Sequence, residues 1–412
     1  MKKAAIILHA FCALIHATFC AAAAEPFPAG QPPERPDVQQ TRMLSEAQRF
    51  NPVLGTQTFG ASYQFTEEPL LLETAKAILA MGSHTLKCEL APTYFGARRN
   101  VPAQHAGVYS LRDLAANEPT HRAVLAMPFA HYLLWVTAFG HQSWRTGFSK
   151  AAQEHEYREL YDLSTHLLRE FSGTGKTFYL GHWEGDGMLR NSVSEADDAR
   201  VTPEAVQGMI DWLCIRQQAV DDAKRDTPHE GVALWHYTEV NHVRLSMDAH
   251  RRSVVSEVLA HVPVDFVSYS SYDTQTDPEA LQRALSFIES KLQPNPSIAG
   301  RRVFIGEYGF PADTYSPQQQ DARARAVLRA GLQWGCPFIL YWELYNNEVH
   351  ADGHQRGFWL IDEKGCKTPA YETHTRLLHR AAQWRDAESA RNGGAPPSQE
   401  SYRKAALGWL EE

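Results

Sequence analysis

The sequence is poor in cysteine, with six in 412 residues, and two of these, Cys12 and Cys20, fall in an apolar leader. The remaining Cys88, Cys214, Cys336 and Cys366 are too few for a disulfide scaffold, and no CxxC or Cys/His spacing of a zinc site occurs. Cys336 and Cys366 stand in a loop relation that an exported chain could close as a disulfide. Cys88 and Cys214 sit in apolar patterns and read as buried small hydrophobes.

Other signatures are missing as well. There is no GxGxxG or P-loop after the first strand pattern, and Gly55 to Gly60 lacks the spacing that cradles phosphate. HExxH is absent, the histidines at 182, 236, 242 and 261 scatter over different elements, and Thr56-Gln57-Thr58 stands where a two-metal amidohydrolase wants His-x-His. No GxSxG nucleophile elbow occurs. No metal and no cofactor are therefore expected. Positive charge is also in deficit: the formal net charge is −8, about −10 once Lys2 and Lys3 are removed, which argues against nucleic acid or an anionic membrane surface as partner.

What is present begins with Met1-Lys2-Lys3, an apolar run from Ala4 to Cys20 and Ala21 to Ala24, the layout of a secretory signal over residues 1–24. The run is short for a stable span and ends in small residues, so cleavage before Glu25 and a secreted or periplasmic chain are expected, with no stable membrane span afterwards. A proline-rich lead-in occupies 25–45, and a catalytic domain is expected over 46–390. A linker and short helix around Trp409 fill 391–412.

Within 46–390, short apolar runs alternate with amphipathic segments. Strands are predicted at Val53–Phe59, Thr85–Leu90, Val124–Phe129, Thr177–Glu184, Val232–His236 (running on to Glu239), Val264–Tyr269, Val303–Glu307 and Pro337–Glu343. Helix starts are marked by Thr202-Pro203, Ser246, Asp277-Pro278 and Ser316-Pro317. Repeated strand–helix alternation predicts a parallel sheet, and eight repeats favour α/β closure into a (β/α)8 TIM barrel with one catalytic domain over an open doubly wound sheet. In such a barrel the C-terminal strand ends converge on one mouth. Glu307 ends the seventh strand between Gly306 and Gly309, and Glu184 ends the fourth.

Glu184 after strand four, Glu307 in Ile-Gly-Glu-Tyr-Gly after strand seven and Trp342 in Leu-Tyr-Trp-Glu on strand eight resemble the retaining glycoside hydrolases of clan A, of the family 5 type. The resemblance covers about residues 50–385 and rests on those strand ends. It implies that Glu184 is the acid/base and Glu307 the nucleophile, acting on a carbohydrate with retention. One departure is that many members carry asparagine before the acid/base, where this chain has Trp183. Asp186 and Glu239 are the alternative acid/base candidates.

Aromatic and polar residues at or just past the strand ends add a substrate surface. Trp183, Trp235, Tyr269, Tyr272 and Trp342 are expected to stack on sugar rings, and His182, His236, Glu239 and Asn241 to hydrogen-bond them. Tyr308 is expected to hold the nucleophile, and His131 joins the substrate-binding set. Lys87 and Gln57 read as structural residues. Glu343 is expected to point away from the face that Trp342 lines. Two other readings stay open at this stage: a carbohydrate-binding barrel without catalysis, and a transglycosylase with the same carboxylates.

Overall fold

The computed structural model describes residues 43–92, 107–192 and 198–411. The leader and most of the proline-rich lead-in lie outside the described residues, as do the middle of the loop after the second strand and residues 193–197.

Eight parallel strands close into a barrel in sequence order. They are β1 (Leu54–Thr58), β2 (Thr85–Leu90), β3 (His131–Val136), β4 (Thr177–Gly181), β5 (Ala233–Val240), β6 (Phe266–Ser270), β7 (Val303–Tyr308) and β8 (Ile339–Tyr341). The helices are α1 (Glu46–Arg49), α2 (Leu70–Ala80), α3 (Leu111–Asn117), α4 (Pro119–Ala126), α5 (Lys150–Glu170), α6 (Gly185–Arg190), α7 (Pro203–Asp226), α8 (Val243–Ala249), α9 (Val254–Glu257), α10 (Pro278–Glu289), α11 (Pro317–Trp334), α12 (Pro369–Arg391) and α13 (Gln399–Trp409). The predicted (β/α)8 barrel is thus the fold. No described helix is long and apolar enough to cross a membrane.

Most elements follow from local chemistry. Thr202, Asp277 and Ser316 accept backbone N–H groups at the starts of α7, α10 and α11, each with proline in the first turn. The third strand is a correction: Val124–Phe129 is the end of α4 and a turn, and β3 lies at His131–Val136. Glu118 accepts from the N–H groups of Thr120 and His121 beside Pro119 at the first position, which nucleates a helix through Val124. Ser246 lies inside α8, and Ser253 is the cap, of α9. Cys336 is buried, Cys366 is exposed and neither is in a disulfide, while Cys214 is only half-buried.

Alternation along each strand sorts side chains between two cores. Outward residues such as Leu86, Leu134, Leu180, Val267 and Ile339 pack against the helices. Inward residues fill the barrel: Tyr179, Phe266 and Phe338 near its N-terminal end, then Leu133, Tyr237, Phe304 and Leu340, then Phe59, Trp135 and Trp342 at the mouth. Glycines make room for these large side chains: a Cβ at Gly181 would overlap the Tyr237 ring.

Candidate active site

Glu307 reaches the mouth through a β-bulge. Tyr269 pairs with Ile305 and Ser270 with Glu307, so Gly306 is an extra residue in β7. The same shift appears against β8, where Ile305 pairs with Ile339 and Tyr308 with Tyr341. Simple alternation from the inward Phe304 would send Glu307 outward and Tyr308 inward; the bulge reverses both. Only glycine fits the extra position, because a Cβ on Gly306 would overlap the Ser268 hydroxyl.

Two groups hold the Glu307 carboxylate. Lys87 Nζ, from β2, lies 3.3 Å from Oε1, and the Tyr272 hydroxyl donates to Oε2 at 3.1 Å. Lys87 also donates to Glu239 Oε2 at 2.9 Å and to the Gly306 carbonyl at 3.1 Å. Its ammonium sits 4.5 Å from the centre of the Trp135 ring, and Trp135 packs on Phe59 with centroids 3.8 Å apart. Phe59 stacks in turn on Trp342 at 5.4 Å. Burial pushes the Glu307 carboxyl up from its usual 4.5 to about 8, against the pull of Lys87 and the Tyr272 hydroxyl and with a further push from Glu239.

Glu184 follows β4 and opens α6, partly buried in the mouth. Its backbone N–H donates to Glu239 Oε1 at 3.1 Å. Among the described residues no side chain donates to its carboxylate. Burial, followed by the charges of Glu307, Glu239, Asp186 and Glu348, raises its pKa well above the ordinary value. The two carboxyls therefore differ: cationic and hydroxyl donors favour the charged form of Glu307, and among the described residues no side chain does the same for Glu184.

The structure separates the other candidates into two groups. Trp183, Tyr272 and Trp342 line the barrel interior or its rim with Glu184, Glu239 and Glu307. The Trp342 indole N–H is held by Glu348 Oε1 at 3.1 Å, and Glu348 Oε2 accepts from Arg356 at 2.6 Å. Glu343, joined to Trp342 by a cis peptide, faces away from the mouth and accepts from the N–H groups of Phe59 and Asn347.

The remaining candidates take no place in the mouth. Tyr308 points outward and bonds His374 of α12 at 2.8 Å, and the tyrosine on Glu307 is Tyr272. Tyr269 also points outward, to Thr274 at 2.8 Å and to Asp273. His236 faces α7, near Gln217 and Arg216. His182 lies between Thr238 and the Trp183 carbonyl, against Trp212. His131 and Trp235 occupy the opposite end of the barrel, among Tyr179, Phe338 and Phe266. Asp186 is consumed by structure: it pairs with Arg190 at 3.0 Å and accepts from the N–H groups of Asn241 and Val254. Asn241 is buried behind that carboxylate.

Lys87, Trp135, Ser268 and Glu348 are the mouth residues that the sequence reading left out. Lys87 carried a signal, a charge between Leu86 and Cys88 in a strand pattern that otherwise reads as largely buried. Trp135 was hidden by the misplaced third strand. Among the described residues no group of three or more His, Cys, Asp or Glu is placed to hold a metal ion.

Neither a family model nor a curated protein matches the chain. Solved structures do share its fold. A GH5_18 protein from Streptomyces cattleya, solved in complex with Manβ1-4GlcNAc, is 14% identical with a TM-score of 0.53, over 86% of this chain and 90% of that one. A GH5_18 protein from Bifidobacterium longum subsp. infantis is 15% identical with a TM-score of 0.52, over 79% of each chain. An exo-β-1,4-mannosidase from Opitutaceae bacterium strain TAV5 is 15% identical with a TM-score of 0.54, over 84% of this chain and 62% of that one. At these identities the likeness establishes a common fold, a (β/α)8 barrel in this chain.

Proposed function

We propose that the chain is a retaining glycoside hydrolase, exported by its leader, in which Glu307 is the nucleophile and Glu184 the acid/base. The observation that carries this reading is the contrast between two carboxyls in one mouth: Glu307 bonded to Lys87 and Tyr272, Glu184 without a side-chain donor among the described residues and raised further by neighbouring negative charge. A retaining reaction needs that contrast, one carboxylate charged and one carboxylic acid holding its proton.

In the first step Glu307 attacks the anomeric carbon as the glycosidic C–O bond breaks, and Glu184 passes its proton to the leaving oxygen. In the second, Glu184 takes a proton from water, whose oxygen displaces Glu307. Lys87 and Tyr272 leave Glu307 with lone pairs for attack, since each carboxylate oxygen offers two. Formation of the ester neutralises Glu307, and Lys87 and Tyr272 hold its oxygens in place for the attack. Trp342, its indole N–H fixed by Glu348, presents a flat face suited to a sugar ring. No cofactor enters this reaction.

The test is turnover of a panel of 4-nitrophenyl α- and β-glycosides and of plant and bacterial polysaccharides by wild type and Glu307→Gln, with the configuration of the first product followed by proton NMR. The reading expects hydrolysis with retained configuration that Glu307→Gln abolishes. Inversion, or equal turnover by the variant, overturns it; glycan binding without turnover in wild type turns the reading to a binding barrel.

A further inference from the structure

The mouth holds a third buried carboxyl, Glu239 at the end of β5, to which the two-carboxylate reaction gives no role. Glu239 is fully buried and accepts four bonds. Lys87 donates to Oε2 at 2.9 Å, the Ser268 hydroxyl at 2.8 Å and the Trp135 indole at 3.3 Å, and the Glu184 N–H donates to Oε1 at 3.1 Å. Donors thus reach it from β2, β3, β6 and the turn after β4. A carboxylate with every neighbouring donor turned toward it is poorly placed to shuttle protons, so its role differs from that of an acid/base. The turn at Glu184 is built around it as well: a Cβ on Gly185 would lie 2.6 Å from the Glu239 carbonyl.

We infer that Glu239 is a positioning residue for the reaction read above, and rests on that reading: one oxygen fixes the turn that carries Glu184, the other shares Lys87 with Glu307, and its charge acts on both carboxyls together. The charged and titratable groups that face it are Lys87 from β2, Glu184 after β4, His182 from the same turn, Tyr237 on its own strand and Glu307 from β7, with Trp135 and Ser268 neutral; Asp186 and Glu348 act in turn on Glu184, and Tyr272 on Glu307. Its negative charge acts upward on both Glu184 and Glu307, whereas Lys87 acts downward on Glu307. Removing the Glu239 charge therefore favours ionisation of both carboxyls, moving the acidic and the basic limb of the rate profile in one direction.

The experiment is the pH dependence of kcat/KM for wild type, Glu239→Gln and Glu239→Asp on whichever 4-nitrophenyl glycoside the wild type cleaves, with folding checked by circular dichroism. Glu239→Gln is expected to shift both limbs to lower pH by about one unit, the scale of one nearby charge. Glu239→Asp, which keeps the charge but pulls it back from the Glu184 N–H, is expected to leave both limbs in place and lower kcat. If Glu239→Gln does not fold, Lys87→Met/Glu239→Gln removes donor and acceptor together, and its basic limb is still expected to fall. Lower rates with unmoved limbs overturn the inference, leaving a structural carboxylate. Recovery of Glu239→Gly turnover by azide also overturns it, because Glu239 is then the acid/base. A wild type without turnover removes the reading beneath it, and the inference falls with that reading.

Discussion

Tyr272 donates its hydroxyl to Glu307 Oε2 at 3.1 Å, opposite the Lys87 ammonium on Oε1 at 3.3 Å. That hydrogen bond favours the charged carboxylate. Tyr272→Phe is expected to lower kcat/KM about 10- to 100-fold, the worth of a hydrogen bond to a charged group. The same loss raises the Glu307 pKa, so the acidic limb moves to higher pH. An unchanged limb in a folded variant would count against Glu307 as the ionising group.

The wild-type profile itself is a prediction. Burial takes the Glu307 carboxyl from 4.5 to about 8 even with Lys87 and Tyr272 pulling the other way. The reaction requires that carboxyl charged, so its acidic limb lies well above the ordinary glutamate range, and activity peaks at neutral to alkaline pH. A kcat/KM maximum at pH 5 would contradict this.

Raised carboxyls also bear on stability. The Glu184 folded-state pKa lies above its unfolded value, so the folded state binds the proton more tightly and stability falls as pH rises past the ordinary value. Glu184→Gln, which keeps the shape without the charge, is expected to raise Tm at pH 8 by about 1–3 °C and to match wild type near pH 4. Calorimetry at the two pH values checks both arms.

The buried histidines give a dependence at lower pH. His131 and His182 have folded-state pKa values lowered to about 4 by burial. Between 6.5 and about 4 the unfolded chain binds more protons, so stability is lost as pH falls through that window, by roughly 3 kcal/mol per histidine at most. Because the raised Glu184 and Glu307 carboxyls act in the opposite direction over the same window, the check is a difference between proteins: on going from pH 7 to pH 4.5 the urea midpoint of His182→Gln is expected to rise relative to that of wild type.

The bulge in β7 predicts the effect of Gly306→Ala. Its Cβ would overlap the Ser268 hydroxyl, which in turn donates to Glu239. A loss of about 2–4 kcal/mol is expected, together with a loss of turnover beyond what unfolding explains. Gly306→Ala/Ser268→Gly is expected to recover part of the stability, measured by denaturant melts.

This bulge also marks where the sequence was legible and where it was not. The strands and capped helices carry their own signals, as Thr202-Pro203 and Ser316-Pro317 show, and parallel alternation implies the barrel. Glu184 and Glu307 could be placed at the mouth because they end apolar strands. Which face a residue takes was another matter. Strict alternation puts Tyr308 inward, and nothing in Ile-Gly-Glu-Tyr-Gly announces the extra residue that sends it to His374. His131 and Trp235 were assigned to the mouth although their positions early in β3 and β5 place them at the far end. Lys87 looked structural because an isolated lysine in a strand usually is, and its partners Glu239 and Glu307 lie 152 and 220 residues away.

The most direct measurement is the product formed by Glu184→Ala and Glu307→Ala with an activated aryl glycoside in the presence of azide, its configuration read by NMR. The account predicts that Glu184→Ala regains turnover and yields a glycosyl azide of retained configuration, since azide then attacks the Glu307 ester, and that Glu307→Ala yields the inverted azide, since azide replaces the nucleophile itself. An inverted azide from Glu184→Ala, or no rescue of either variant while the wild type is active, would contradict it.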